Sequence, residues 1–531
     1  TAILLLNSCG SAMPSSTRPA TTQARTTYTT TATRPPSTSY SQPRPTTYTT
    51  AAAPTSSGTI GLATGGAKDI NNFRENIRNN YLPLPTDVSY EGLFYDYYFD
   101  TGAQEATDKL FSPSYSYAVT RDPLSHQTEY YLSVGLNSGI RQEDFHRKIL
   151  NLVIVLDSSG SMGEYYNQYY YDNSGQARDA YAGEVSVLNK IASAKNAVVS
   201  ILNQLNGEDR FAIVEFNSKA GIVKSMGLVE DTDMDDVRKD VMKIQAGGST
   251  DLSAGFRKAT DQFRNLREID SYKYENRIIV LTDAQPNTGD FTGAGLTDMV
   301  TRNAQSRIYS TFIGIGVDFN TELIDLITRT EGANYYSVRS PREFRHRVDD
   351  EFDYMVTPMV FDVNFTFQSS DWKIDTVFGS PEADSATGRL MSINTLFPSS
   401  SEGGEVRGGL VLLKLKKISS NPDSVIFLRV TYEDRDGRTD GAEEIIRLER
   451  ASPEYFANSG IRKGILLTRY AALLKNWMTD ERRHRQYQSD WESSINEDTG
   501  IVIPSGYGLS EWERQSLSLS VSSPYRWIFD E

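Results

Sequence analysis

The spacing of apolar and polar residues changes character several times along the chain, and each change marks an element boundary. From Ile149 onward, short apolar runs at Leu150 to Leu156, Phe211 to Phe216, Arg277 to Leu281, Ile308 to Ile315 and Asn334 to Val338 alternate with stretches of helical period. Near-continuous apolar runs of this length read as strands buried on both faces, as in a parallel sheet. Helical spacing around Val187 to Leu205, Met234 to Ile244, Ser253 to Leu266, Asp298 to Gln305, Thr321 to Thr330 and Pro341 to Val356 predicts the helices between them. The alternation defines an α/β unit over 149–356 with a doubly wound, mostly parallel sheet.

After Val356 the period shortens to two. Runs at Val360 to Phe367, Trp372 to Val377, Gly408 to Leu415, Val425 to Tyr432 and Glu443 to Leu448, with the turn Asp434-Arg-Asp-Gly437, predict a β-sandwich-like domain over 357–451. The segment 67–148 reads as a flanking α+β piece. Ile70 to Tyr81 has helical spacing before Pro83 and Pro85, and Ser114 to Thr120 and Glu129 to Leu136 alternate as half-buried strands. Aromatic residues crowd Val88 to Phe99, and they read as packing. From Ser452 the helical period returns, with Ile461, Ile465, Leu466, Tyr470, Leu473, Leu474 and Trp477 on one stripe, so 452–531 is expected to be a helical carboxy-terminal region.

The first 66 residues lack any such period. Residues 1–9 read as the tail of a secretory signal, and Leu6-Asn-Ser-Cys9 resembles a bacterial lipobox, which makes Cys9 a candidate for lipidation. Asn7 departs from the small or apolar residue usual there, and an ordinary cleaved signal with an incidental cysteine is the alternative. Residues 10–66 are dominated by Thr, Ser, Pro, Ala, Tyr and Gln and are expected to form a disordered stalk, because they bury too little apolar surface to offset ordering. Together these features place the protein outside the cytoplasm, as a membrane-anchored lipoprotein or cell-surface protein of bacterial type.

Composition narrows the function classes. The net charge is -15, an acidic surface that repels nucleic acid. Cys9 is the single cysteine, which excludes an intrachain disulfide framework and thiolate-rich metal sites. The four histidines, at 126, 146, 346 and 484, stand in no HExxH arrangement, which argues against zinc hydrolases and against Ser-His nucleophiles.

Asp157, Ser159 and Ser161 are spaced two apart where the run Leu150 to Leu156 ends, so their oxygens can converge in the loop leaving the strand. A Ser/Gly cluster here is also what an ordinary strand-ending turn looks like. The difference lies in whether the chain supplies further oxygens at the same edge. Asp283 ends the run Arg277-Ile-Ile-Val-Leu-Thr-Asp283, and Thr250 lies in the loop Gly247-Gly-Ser-Thr-Asp-Leu-Ser-Ala-Gly255 that leads into a helix. Ligands of open α/β sheets gather at this edge, near the topological switch point. Two carboxylates and three hydroxyls suit a hard cation, Mg²⁺ first, with Mn²⁺ or Ca²⁺ as substitutes.

In these five positions the chain resembles the von Willebrand factor type A (VWA) domain, whose metal-ion-dependent adhesion site has the pattern DxSxS, then Thr, then Asp. The resemblance covers about Ile149 to Met355. It implies metal ligands at Asp157, Ser159, Ser161, Thr250 and Asp283, with an Asp or Glu of a protein partner completing the coordination. The flanks, through Tyr81-Leu-Pro-Leu-Pro-Thr-Asp-Val-Ser-Tyr-Glu91 and Glu402-Gly-Gly-Glu-Val-Arg-Gly-Gly409, are similar to those of bacterial VWA-containing lipoproteins, in which the α/β domain is inserted between pieces of a β-rich domain. One departure is the insertion Glu164 to Tyr181. Its Tyr165, Tyr166, Tyr169, Tyr170 and Tyr171 are candidate partner contacts, since tyrosine gives large contact area at low entropic cost; a solvated low-complexity insert is the alternative.

The expected function is divalent-cation-dependent protein binding or adhesion at a surface. A structural component of an extracellular assembly with a non-essential metal site is the competing reading. A hydrolase is disfavoured: Ser159 stands where a phosphoryl-transfer site of haloacid-dehalogenase type wants a second Asp, and neither GxxxxGK[ST] nor GxSxG occurs.

Overall fold

The computed structural model describes residues 58–102, 109–123, 125–165, 189–266, 272–283, 293–316, 328–338, 347–349, 351–382, 390–419, 424–448, 453–493 and 517–530. The stalk, Cys9 and Tyr166, Tyr169, Tyr170 and Tyr171 lie outside them. Residues 57–521 form one compact unit. A second unit contributes the short helix Ser523–Asp530.

Seven strands build the α/β sheet, in the order Gly66–Ala67, Asn334–Val338, Ile308–Ile315, Tyr274–Thr282, Ile149–Asp157, Arg210–Phe216 and Ala220–Leu228. All pairings are parallel except the last. The alternation of side chains along a strand explains why the central run is apolar at nearly every position. Leu150, Leu152, Ile154 and Leu156 enter the core beneath the helices Lys190–Asn203 and Met234–Lys243, while Val153 and Val155 enter the opposite core with Leu252, Phe256 and Leu296 of the helices Leu252–Asp261 and Gly293–Gln305. From Ile149–Asp157 the chain passes to Arg210–Phe216 on one side and later returns to Tyr274–Thr282 on the other. The switch point therefore lies between Asp157 and Thr282. Ala220–Leu228, an exposed antiparallel edge strand, is absent from the sequence expectations because its residues show no two-fold alternation of burial.

Buried Asp209 fastens the start of the central strand. Its carboxylate accepts both Nη1 and Nη2 of Arg147, at 2.9 and 2.7 Å, together with the backbone N–H groups of Leu150 and Asn206. Acceptance of several N–H groups is how a buried carboxylate stays solvated without water.

Ten further strands form one antiparallel sheet, in the order Trp372–Phe378, Leu410–Lys417, Thr128–Arg141, Thr59–Thr64, Leu390–Ser399, Val360–Gln368, Val425–Asp434 and Thr439–Arg447, with Ser112–Arg121 beside Thr128–Arg141 and Tyr455–Phe456 beside Ser112–Arg121. Where a sandwich of two sheets was expected, the ladder is continuous. Trp372 and Ile374 near one end nevertheless share a core with Ile426 and Leu428 near the other, so the sheet folds over on itself, as long twisted sheets do.

The expected stalk also ends too late, because Thr59–Thr64 is a central strand of this sheet, buried from Ile60 on. Its Gly, Thr and Ala content blends with the preceding segment. Gly61 has a packing reason: a Cβ there would lie 2.0 Å from Cγ1 of Val406, so only glycine lets the strand pass beneath that side chain. The strand Leu390–Ser399 was likewise missed, since Ser392, Asn394 and Pro398 interrupt its apolar pattern. The long helix Ser459–Ser493 buries Ile461, Ile465, Ala471, Leu474 and Trp477.

Charged side chains meet where the two sheets join. Glu351 accepts Arg347 and Arg407, and Lys68 donates to the carbonyl of Thr64 beneath the rings of Tyr95 and Phe397. Burial pushes the Lys68 amine down to about 7, partly opposed by the charge of Glu91. A base whose folded pKa lies below its unfolded value makes folding more favourable as pH rises between the two. The wild type is therefore expected to gain thermal stability relative to Lys68→Met between pH 7 and pH 9, with a flat difference below pH 7. Parallel melting curves across this range would contradict the buried, depressed amine.

Candidate metal centre

The end of the central strand and the two loops around it draw the five sequence-predicted residues to the switch point. Asp157 is the last residue of its strand, and a short turn, Gly160–Gly163, follows directly. Oδ1 of Asp157 accepts the backbone N–H of Ser159 at 2.8 Å, which curls the loop back over the strand end. Two backbone bonds then lash this loop to the glycine loop, from Gly160 N–H to the Gly248 carbonyl at 3.0 Å and from Gly247 N–H to the Ser158 carbonyl at 2.8 Å. Thr250 is thereby held in the same layer and is 1% exposed. The next residue, Asp251, caps the helix Leu252–Asp261 by accepting the N–H of Ala254.

The polar atoms converge. Ser159 Oγ and Ser161 Oγ are 3.1 Å apart, and Ser161 Oγ donates to Oδ1 of Asp283 at 3.1 Å. Both carboxylates are fully buried, as is Ser159, and Ser161 is 5% exposed. Above them the surface opens at Gly163, Tyr165 and Gly248. Tyr165 is 44% exposed and bridges to Asn189, just before the helix Lys190–Asn203.

Two residues join the constellation without having been singled out. Thr282 donates its hydroxyl to Oδ2 of Asp157 at 2.5 Å, and Lys190, the first residue of its helix, places Nζ 3.1 Å from Oδ2 of Asp283. Thr282 lay in plain view beside Asp283, but a hydroxyl that orients a ligand has no spacing signature. Lys190 is separated from the motif by the insertion, which hid its proximity.

Burial, followed by the charge of Asp283, pushes the Asp157 carboxyl up to about 7, while the bonds from Thr282 and Ser159 pull it down. Two carboxylates buried together with three hydroxyls nearby form an oxygen-only donor set, in a place too dry for their charges to be screened. Such a set fits a hard divalent ion, which prefers oxygen ligands and keeps water or another oxygen in an open position. Among the described residues no cluster of three or more His, Cys, Asp or Glu occurs, so hydroxyls supply what further carboxylates would in a tighter site.

Hydroxyl and carboxylate side chains thus gather at the switch point of a doubly wound sheet, the edge at which open α/β sheets bind their ligands. Residues 152–285 match the family model of the von Willebrand factor type A domain, and the chain contains that domain. It is similar to mouse inter alpha-trypsin inhibitor heavy chain 4, at 26% identity over 225 residues, or 41% of this chain and 21% of that protein. The chain thus spans about a fifth of the length of the curated relative. Similar solved structures include a von Willebrand factor type A protein of Catenulispora acidiphila, at 15% identity and TM-score 0.41 over 66% of this chain and 75% of that one. Another is proximal thread matrix protein 1 of the mussel byssus with a zinc-occupied MIDAS motif, at 16% identity and TM-score 0.28 over 39% and 46%.

Proposed function

We propose that the protein is a surface-exposed, non-enzymatic binding protein whose VWA domain grips an acidic side chain of a partner protein through a divalent cation, Mg²⁺ in the first instance. The observation that carries this reading is the convergence of Asp157, Ser159, Ser161 and Asp283 within hydrogen-bonding distance at the switch point, with Thr250 locked into the adjoining loop. Asp157 and Asp283 would hold the ion directly or through water, and the three hydroxyls would complete its protein side. When bound, the cation supplies an electron-poor open position for a carboxylate. The chain's own part is to keep that position fixed and dry. Thr282 and the N–H of Ser159 fix the Asp157 carboxylate from two sides, so little ordering remains to oppose binding.

Tyr165, at the root of the insertion, stands on the rim where a partner would approach. In this reading the amino-terminal stalk and the candidate lipid anchor at Cys9 would tether the protein to a membrane. Among the described residues no helix is long and apolar enough to cross a bilayer.

Pull-down from the native cell surface tests the reading. Capture is expected to disappear in EDTA and return with excess Mg²⁺ or Mn²⁺. Full capture under chelation would refute the metal-bridged mechanism and favour a structural role for the antiparallel sheet.

A further inference from the structure

The least expected group in the site is a cation already present in the chain. Lys190 is fully buried, and lysine is almost never found so deep without a paired charge. It also stands at the first position of the helix Lys190–Asn203, where the partial positive charge of the helix end disfavours a second positive charge. Asp283 helps to offset both costs: Nζ lies 3.1 Å from its Oδ2, on a candidate metal ligand with no exposed surface of its own. The carboxylate is therefore divided: Oδ1 accepts Ser161, and Oδ2 accepts the ammonium.

We propose that Lys190 is a tethered counter-cation that competes with the divalent ion for Asp283 and sets the metal affinity of the site. The proposal rests on the metal-binding reading given above. With the ammonium in place, one of the two carboxylate oxygens already accepts from a cation. The incoming ion must displace Nζ from Oδ2 or accept a weakened ligand, and either outcome lowers affinity and favours ready exchange of the metal.

The position of Lys190 gives the exchange a mechanical side. Its backbone N–H donates to the Glu164 carbonyl at 2.9 Å, and Asn189 both bridges to Tyr165 and caps the helix through the N–H of Ala192. Glu164 is the first residue of the insertion, and Asn189 lies beyond its last, Tyr181. The residue displaced by the metal is thus bonded through its backbone to the first residue of the insertion.

The test is titration of the full chain with Mn²⁺ and with Mg²⁺ by calorimetry, comparing wild type, Lys190→Met and Lys190→Gln, with Asp157→Ala as a separate arm. Both Lys190 variants are expected to bind the metal more tightly, on the order of 10- to 100-fold, the size of change that groups bonded to metal ligands produce. Unchanged or weaker binding would overturn the proposal, because it would make Lys190 an orienting partner of Asp283 rather than a competitor. If a variant is too unstable for calorimetry, the Mn²⁺-induced rise in melting temperature is read instead, and it should exceed that of the wild type; an equal or smaller rise counts against the proposal. Failure of the underlying reading looks different: the wild type would then show no saturable binding, or Asp157→Ala would bind as well as wild type.

Discussion

Replacing Asp157 with alanine is expected to abolish divalent-cation binding and partner capture while leaving the metal-free protein folded, with a metal-free melting temperature that stays level or rises. The asymmetry follows from the site. Asp157 is a fully buried carboxylate facing Asp283, and its own carboxyl is driven up to about 7 by burial and by that neighbour, so in the metal-free state it is a burden on the fold. Its two protein bonds, from Thr282 and the Ser159 N–H, return part of the cost. With a divalent ion at 100 times its dissociation constant, the wild type is expected to gain about 2.7 kcal/mol and Asp157→Ala nothing. Melting curves with EDTA and with saturating Mg²⁺ check both halves. A variant that still shifts with Mg²⁺ would remove Asp157 from the ligand set, and one unfolded in EDTA would make its role structural.

The second large effect lies away from the candidate metal centre, at Gly332. This residue has φ of +69°, and a Cβ built on it would lie 2.0 Å from Cδ1 of the Tyr309 ring. Its N–H donates to Thr395 Oγ1 at 2.7 Å, and its carbonyl accepts Nη1 of the buried Arg277 at 2.9 Å, so it stands where the α/β sheet meets the antiparallel sheet. Gly332→Ala is expected to cost about 2–5 kcal/mol, combining the left-handed backbone penalty with overpacking against a stacked Tyr309–Phe361 pair. Gly403→Ala separates the two contributions. Gly403 has φ of +60° with nothing within 4 Å of its would-be Cβ, so only the backbone part, about 1–2 kcal/mol, remains. Urea midpoints of the two variants provide the comparison; equal losses would show that the Tyr309 contact is not tight.

What the sequence made legible and what it hid follow the same physics. The five strands of the α/β sheet that were expected all form, because strands buried on two faces must be apolar at almost every position, and no solvated element imitates that. The candidate ligands Asp157, Ser159, Ser161, Thr250 and Asp283 were legible because each sits directly beyond a strand or before a helix, where chain order translates into place. Lys190 was hidden because its partner is Asp283, ninety-three positions away, and nothing local distinguishes a lysine that opens a helix in solvent from one turned into a site. Strands with weaker local signals were lost in the same way. Thr59–Thr64 is buried among neighbours from Thr128–Arg141 and Leu390–Ser399 rather than by its own apolarity. The continuity of the ten-stranded sheet depends on pairings between residues more than two hundred positions apart, such as Val134 with Val411, and no window of sequence contains both.

The crossings between the two sheets have a further consequence. The chain enters the VWA domain past His146 and Lys148 and leaves it at Met359, and all three touch one hairpin turn: Arg435 donates to the carbonyls of His146 and Met359, and its own carbonyl accepts Lys148 Nζ at 2.7 Å. A module whose two ends meet at one turn is suited to transplantation, because a short linker can close the host after excision. The cut is not clean on both sides, however. Gly66–Ala67, which comes from the host, completes the sheet beside Asn334–Val338, so a grafted copy carries a bare strand edge into its new setting unless those residues travel with it.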